Sequence, residues 1–536
     1  MDCISGHRLF KRYKMNQLDY SIVVIYIVGM IWMGYYLKKQ KNSQDYFLGG
    51  KGFGWFSLTM SAMASQLSVI SFVSAPAFVG LREGGGMKWL TFELGVPIAM
   101  IIIMTFIGPV LYKSGVVSIY SFLEKRFGAS TRLILSFVFL WSRSFAGAVV
   151  VYAVSLILAS LLHLSFLTTL LLVGVSTILY SLEGGMKAVV YSEVVQMVIK
   201  VAGIFLIVYY GLENLGGWEV LKAEVEPSRL RVIDYTNLGL NGDEFGFFPM
   251  LFGGIFLYTS YYGTDQMQAQ RILSAKDLPT VRSILFANGL LRFPITLMYC
   301  IGGLVIGTFA RLNSDFMALL PDGKSDLMIP VFIEHYLPNG IIGLLVVAII
   351  AAAMSAYSSY LNSLSAVTME EVVSKYFTLD SAKYVTYSKL STLIWGLMTL
   401  VLSFFVGGMA KTVIEAINKI GSLFYGPMLA TFIIAMAIPR VKGKAMNLGL
   451  IVGVGINVYL WQFVSHVFWF WWNLIGCVST FLVAYSVSFV FKPTENAKES
   501  FSDGVEPLVN RYSIALVFVF FFIYLFCVYL PTFFQP

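Results

Sequence analysis

Four small polar side chains stand inside one apolar stretch, AAAMSAYSSYLNS at 351–363: Ser355, Ser358, Ser359 and Asn362. Their spacing of i, i+3, i+4 and i+7 puts them on one face of a helix, as a polar stripe where a membrane helix would carry leucine. Neutral hydroxyls and carbonyls are the oxygens that a hard monovalent cation can use inside a membrane. Ionisable residues inside apolar stretches form a second group: Glu93 in KWLTFELGV, Arg143 in LWSRSFAGAVV, Glu193 in VVYSEVVQ and Arg292 in LLRFPIT. Charge at membrane depth is costly and marks a candidate functional site. No nucleophile–base pair, phosphate loop or metal cluster is present. The four histidines lie at termini, loop edges or apolar faces. The four cysteines, Cys3, Cys300, Cys477 and Cys527, show neither metal nor disulfide spacing. Neither an enzyme nor a bound cofactor is expected.

The elements that must carry these residues are membrane helices. The 536 residues are 58% hydrophobic and only 12% charged, too few charges to cover a soluble protein of this size. Repeated apolar runs predict an all-α polytopic membrane protein of about fourteen spans. These fall roughly at 18–37, 54–80, 88–113, 131–162, 166–184, 188–212, 246–268, 282–309, 338–372, 383–408, 412–439, 446–464, 468–492 and 512–531. The net charge of +8 reads as loop cations rather than a nucleic-acid surface, because no basic helix interleaved with aromatics occurs. Lys38, Lys39, Lys125, Arg126, Arg132, Lys187, Arg271, Lys375, Lys383, Arg440 and Lys492 fall on loops of one side, opposite the acidic stretch 213–227. The excess of positive charge places that side in the cytoplasm and both termini outside, in a multi-pass plasma-membrane protein. The segment HRLFKRYK at 7–14 breaks this pattern and is not a signal peptide. A translation start at Met15 would remove the conflict, and N-terminal mass spectrometry finding Met1 would overturn that reading.

Two spans look interrupted. GWFSLTMSAMASQLSVISFVSAPAF at 54–78 mixes Ser61, Ser65, Gln66, Ser68 and Ser71 into its apolar run, and FGGIFLYTSYYGTDQMQAQR at 252–271 carries Gly253, Gly254, Thr259, Ser260 and Asp265. Close packing through small residues would explain one such helix. Two in corresponding positions point to an inverted-repeat transporter with its binding site at the interruptions. EGGMKAVVYSEVVQ at 183–196, YYGTDQMQAQRIL at 261–273, SAYSSYLNSLSAVTMEEVV at 355–373 and GSLFYGPML at 421–429 then carry a resemblance. The chain resembles the sodium/solute symporters of the leucine-transporter-type fold, from residue 18 to 531. The helix-eight stretch is most similar to the branch carrying iodide, monocarboxylates and vitamins.

The resemblance implies a 5+5 inverted-repeat core whose first and sixth helices are discontinuous, with Na+ as the coupling ion. The main sodium site would use the carbonyls of Ala64, Leu67 and Ala352 and the hydroxyl of Ser355. Many relatives carry a second Ser or Thr next to this serine, and this chain has Ala356, one side-chain oxygen fewer. Ser358, Ser359 and Glu193 match a second sodium site of some relatives. The alternative for Glu193 is a solvated place near the cytoplasmic end. The solute pocket would take Gln66, Ser68 and Ser71 from the first broken helix, with Tyr261 as the inner aromatic gate. Arg143 lies about 16 Å into its span, at 1.5 Å per residue, and suits bidentate carboxylate binding. Sialic-acid carriers of the family use an arginine on this helix; the alternative is a structural pair with Glu93 or Glu193. Glu93 is a further pocket candidate, because sugar carriers of the family place a carboxylate on the second core helix. Arg292 could instead snorkel to the inner interface, and Glu415 and Lys419 are spaced to pair with each other.

The function expected is sodium-coupled symport of a small polar organic solute: a sugar, sialic acid, or a monocarboxylate- or vitamin-type anion. A channel, a proton-coupled carrier of the same fold, and a membrane sensor are the alternatives. A channel would want a continuous polar pore, and a sensor a large soluble domain after the last span. The expected organisation is an N-terminal extension (1–16), a peripheral helix and loop (17–50), the first repeat (51–212), an extracellular loop (213–245), the second repeat (246–440) and peripheral C-terminal helices (441–536). The expected partners are the solute, Na+ and the bilayer, with no nucleic acid. Oligomeric state is not legible.

Overall fold

The computed structural model describes residues 15–242, 244–321, 323–406, 413–491 and 504–534, with backbone only for 413–417. The cationic segment 7–14 and the side chain of Glu415 therefore lie outside the described residues. Among the described residues every element is helical, apart from one isolated bridge between Phe53 and Ala275. The elements used below are α1 (Gln17–Tyr36), α2 (Trp55–Gln66), α3 (Ala75–Gly80), α4 (Met87–Ser114), α5 (Ala129–Leu161), α6 (Phe166–Leu215), α7 (Gly254–Gly263), α8 (Gln266–Leu273), α9 (Leu278–Leu312), α10 (Ile341–Thr368), α11 (Ser381–Ser403) and α12 (Val413–Ala437). Gly443–Phe463, Trp469–Val487 and Arg511–Tyr529 follow.

By length and hydropathy these helices supply 11 candidate spans, or up to 12 if the bent pair α2–α3 counts as one, against the fourteen expected. The two spans expected at 166–184 and 188–212 are the two parts of α6, divided by the non-helical backbone of Gly185 (φ 53, ψ −148). At about 1.5 Å per residue α6 would be roughly 75 Å long if straight, far more than a bilayer core of about 30 Å. Gly185 is the break because that backbone region suits glycine alone, and a Cβ there would lie 2.7 Å from the Tyr46 carbonyl oxygen. The stretch expected as a span at 246–268 is divided among a π turn at Pro249–Gly253, α7 and α8.

Both expected interruptions are present. α2 ends at Leu67 (φ −75, ψ 72), and the chain resumes through a π turn at Ile70–Ser74 into α3, bent by 66°. The second break is at Thr264–Asp265, where the Asp265 side chain caps α8 by accepting from Met267 N–H at 2.9 Å. Around these breaks α10 forms the central post, buried along nearly its whole length and packed mainly on α6 and α5. Asp19 of α1 anchors the start of that post. Its carboxylate accepts from Gly340 N–H and Gly343 N–H at 2.7 and 2.8 Å, an acid at a helix N-terminus. α3 crosses α9 through glycines: a Cβ on Gly80 would meet the Gly303 carbonyl oxygen at 2.3 Å.

Two cations assigned to cytoplasmic loops turn inward instead. Arg132 is buried and pairs with Glu371 at 3.3 Å, and Arg271 is buried against Glu193. Each has a carboxylate partner that offsets the cost of leaving water.

Candidate functional site

The polar stripe of α10 divides its four residues among different tasks. Ser355 faces the break of the first interrupted helix. Lys200 of α6 reaches the same point, and its Nζ donates to the carbonyls of Ala64 and Leu67 at 2.6 and 2.9 Å and to Ser355 Oγ at 2.9 Å. An ammonium has three N–H donors, and all three are used. Ser355 Oγ in turn lies 3.0 Å from the Ala64 carbonyl oxygen and 3.2 Å from that of Ala352. Three of the four expected sodium ligands thus converge, on Lys200 Nζ. The Ala352 carbonyl accepts from Ser355 and is not a partner of the lysine.

Ser359 belongs to a second cluster one turn away. Glu193 of α6 is fully buried there, which excludes the solvated alternative. Arg271 Nη2 donates to its two carboxylate oxygens at 3.0 and 2.9 Å. Ser65 Oγ lies 3.0 Å from Glu193 and 3.1 Å from Ser359 Oγ, and Ser61 and Ser359 also donate to the carboxylate. Arg271 further donates to Ser61 Oγ at 3.1 Å and Ser65 Oγ at 2.9 Å. Ser358, expected here as a ligand, instead donates to the Ser355 carbonyl of its own helix at 3.1 Å. Asn362 accepts from Gln270 Nε2 of α8 at 2.7 Å, tying the post to the second interrupted helix.

The expected solute pocket forms a cavity of about 110 Å³ between the two breaks. Gln66, Ser68 and Ser71 line it from the first interrupted helix, Tyr258 and Tyr261 from the second, and Arg143, Arg292, Tyr299, Tyr360 and Tyr425 from α5, α9, α10 and α12. At about 10–15 Å³ for each water position, there is room for several waters or a small solute. Tyr261 is held by Gln268 Nε2, which donates to its hydroxyl at 3.1 Å, and its ring centre stands 6.1 Å from that of Tyr425.

Neither guanidinium in the cavity is free, and neither is placed as the alternatives weighed for it would have it. Arg143 pairs with Asp265 at the second break, not with Glu93 or Glu193, and also donates to the Tyr425 hydroxyl. Arg292 does not snorkel; it is buried, and its Nε donates to Glu93 at 3.0 Å. Tyr258 donates to the same carboxylate at 3.0 Å, so Glu93 holds the cavity wall rather than facing the solute alone. Among the described residues, Arg143 Nε has no hydrogen-bond partner.

The sequence pattern of the Sodium:solute symporter family matches residues 46–453, which contain both breaks, both cation clusters and the cavity. The chain belongs to this family. Among the relatives of this sodium:solute symporter family member is the sodium/sialic acid symporter of Aliivibrio fischeri, 26% identical over 91% of this chain and 96% of the relative. The human sodium/iodide cotransporter is 26% identical over 84% of this chain and 70% of its own. A solved structure of a Na+-coupled sialic acid symporter in a substrate-bound, outward-open state aligns with a TM-score of 0.78 at 24% identity, covering 89% of this chain and 99% of that one. That likeness establishes the shared fold. The chain is a multi-pass membrane protein of a transporter family.

Within this family member, the residues that the sequence reading missed are Lys200, Arg271 and Asp265. Lys200 was visible as a cation in the middle of an apolar run, MVIKVAGIFL, seven residues after Glu193 and so on the same helix face. Asp265 is legible as part of the second interruption but not as the partner of Arg143, and Arg271 stands near a helix end, where a loop position is the simpler reading.

Proposed function

We propose that the chain is a secondary carrier that moves a small polar organic solute across the plasma membrane by alternating access. The solute classes are those of the relatives' chemistry: a sugar, sialic acid, or a monocarboxylate- or vitamin-type anion. One observation carries this reading: the cavity sits where two interrupted helices meet, lined by hydroxyls, two amides and two paired guanidiniums. A channel would need a continuous polar path instead. Arg143 Nε, a buried donor without a partner, supports a solute that presents an acceptor oxygen. The architecture proposed is fourteen spans with a 5+5 inverted repeat, the repeats at 51–212 and 246–440, peripheral helices at both ends and both termini outside.

Uptake of labelled sugars, sialic acid, monocarboxylates, vitamins and iodide into proteoliposomes tests this. One solute class should enter saturably, and Tyr261→Ala and Gln66→Ala should each cut that uptake at least tenfold. Currents far above carrier turnover, or uptake indifferent to both substitutions, would reject the carrier reading. The driving ion follows a different line, because the oxygens that would ligate sodium hold the Lys200 ammonium.

A further inference from the structure

We propose that Lys200 and Arg271 are built-in substitutes for sodium, so that this chain takes no sodium at either cation cluster of its core. The inference goes beyond the carrier reading and rests on it only for the consequence that solute movement is independent of sodium.

The geometry at the first cluster is that of a filled site. Lys200 Nζ stands 2.6, 2.9 and 2.9 Å from Ala64 O, Leu67 O and Ser355 Oγ, ordinary hydrogen-bond lengths that exhaust its three donors. A sodium ion bound by the same oxygens would have to occupy the ammonium's own position. The residues present therefore do not fit sodium unless the lysine leaves. Ala356 agrees with this: an ammonium with three partners has no donor for the additional hydroxyl that a spherical ion would use.

The second cluster repeats the arrangement with a different cation. The Arg271 guanidinium is buried and bonded to Glu193, Ser61, Ser65 and Ser359 together. The two clusters hold one carboxylate and two fixed positive charges, the same total as one acid with two bound sodium ions. Covalent tethering keeps that charge balance in the membrane while removing any dependence on the ion's concentration. Both cations also bridge the first interrupted helix to α6 and α10, the elements that a bound ion would hold together.

The test needs no known solute. Binding of radioactive sodium to the purified full-length chain is measured against a choline background, alongside the sodium dependence of its thermal unfolding. The wild type should bind less than a tenth of one sodium per chain and show no sodium-specific stabilisation. Lys200→Ala should gain one saturable sodium site and be stabilised by sodium but not by choline. Stoichiometric binding by the wild type would overturn the proposal, and so would a folded Lys200→Ala that gains no site. If Lys200→Ala does not fold, the wild-type measurement still decides. Uptake separates the two readings: a wild type that moves its solute only with sodium is a carrier for which this inference fails. One that moves it equally in choline upholds both.

Discussion

The solute cavity and the second cation cluster meet at Ser65, which lines the one and bonds Glu193 in the other, yet cavity and clusters handle charge in opposite ways. In the cavity each guanidinium has its own carboxylate, Arg143 with Asp265 and Arg292 with Glu93, so the walls are neutral. Selection there falls to hydroxyls, two amides and aromatic faces, and the unpartnered Nε of Arg143. At the clusters Glu193 is the one carboxylate for two cations, and the surplus charge of Lys200 is stabilised by carbonyl and hydroxyl dipoles. A second cation about 3 Å from that ammonium would be repelled by roughly 5 kcal/mol at an effective dielectric constant near 20. Paired charges leave a cavity open to a neutral or modestly charged guest, whereas an unpaired fixed charge closes a site to its own kind.

Four substitutions would break or sharpen this contrast. Arg271→Met should have the largest effect, because it strands the buried Glu193 carboxylate; breaking a buried pair costs about 3–5 kcal/mol. A large drop in thermal unfolding temperature in detergent would show it, partly restored by sodium if the ion can refill the place. Glu93→Gln keeps an acceptor for Arg292 but removes the countercharge. A loss of about 2–3 kcal/mol is expected, of the order of a hydrogen bond to a charged group, and unfolding by denaturant would read it. Asp265→Asn keeps the cap of α8, since Asn caps as well as Asp, and frees Arg143. Uptake of carboxylate solutes should rise severalfold relative to neutral ones, and unchanged selectivity would mean that Arg143 takes no part in choosing the solute. The smallest effect belongs to Ala356→Ser. Alone it should leave the chain indifferent to sodium; combined with Lys200→Ala it should tighten sodium binding by about tenfold, roughly one added ligand at 1.4 kcal/mol.

Much of this was legible one helix at a time. The α10 stripe, the interruptions near Leu67 and Asp265, and the membrane depth of Arg143, Glu193 and Glu93 follow from spacing and from polar residues in apolar runs. The partners were not legible. Arg143 has three carboxylates within plausible reach of an unfolded reading, Glu93, Glu193 and Asp265, and sequence spacing ranks none of them above the others. Arg271 and Arg132 read as loop cations because each sits near a helix end, and only the packing turns them inward. The lower span count has a different origin: by length and hydropathy α6 counts once, although the non-helical backbone of Gly185 divides it between the two spans expected at 166–184 and 188–212.

The sequence by itself determined the class of molecule, because apolar runs with so few charges can be solvated only by lipid. It also determined which helices must break, since polar backbone at membrane depth has to line a site. The tertiary structure decided what fills that site. The oxygens of Ala64, Leu67 and Ser355 would suit any small cation, and whether it is a dissolved ion or the tip of Lys200 depends on how α6 is rotated against α2 and α10. That rotation is set by packing between segments more than 130 residues apart, and no local pattern encodes it.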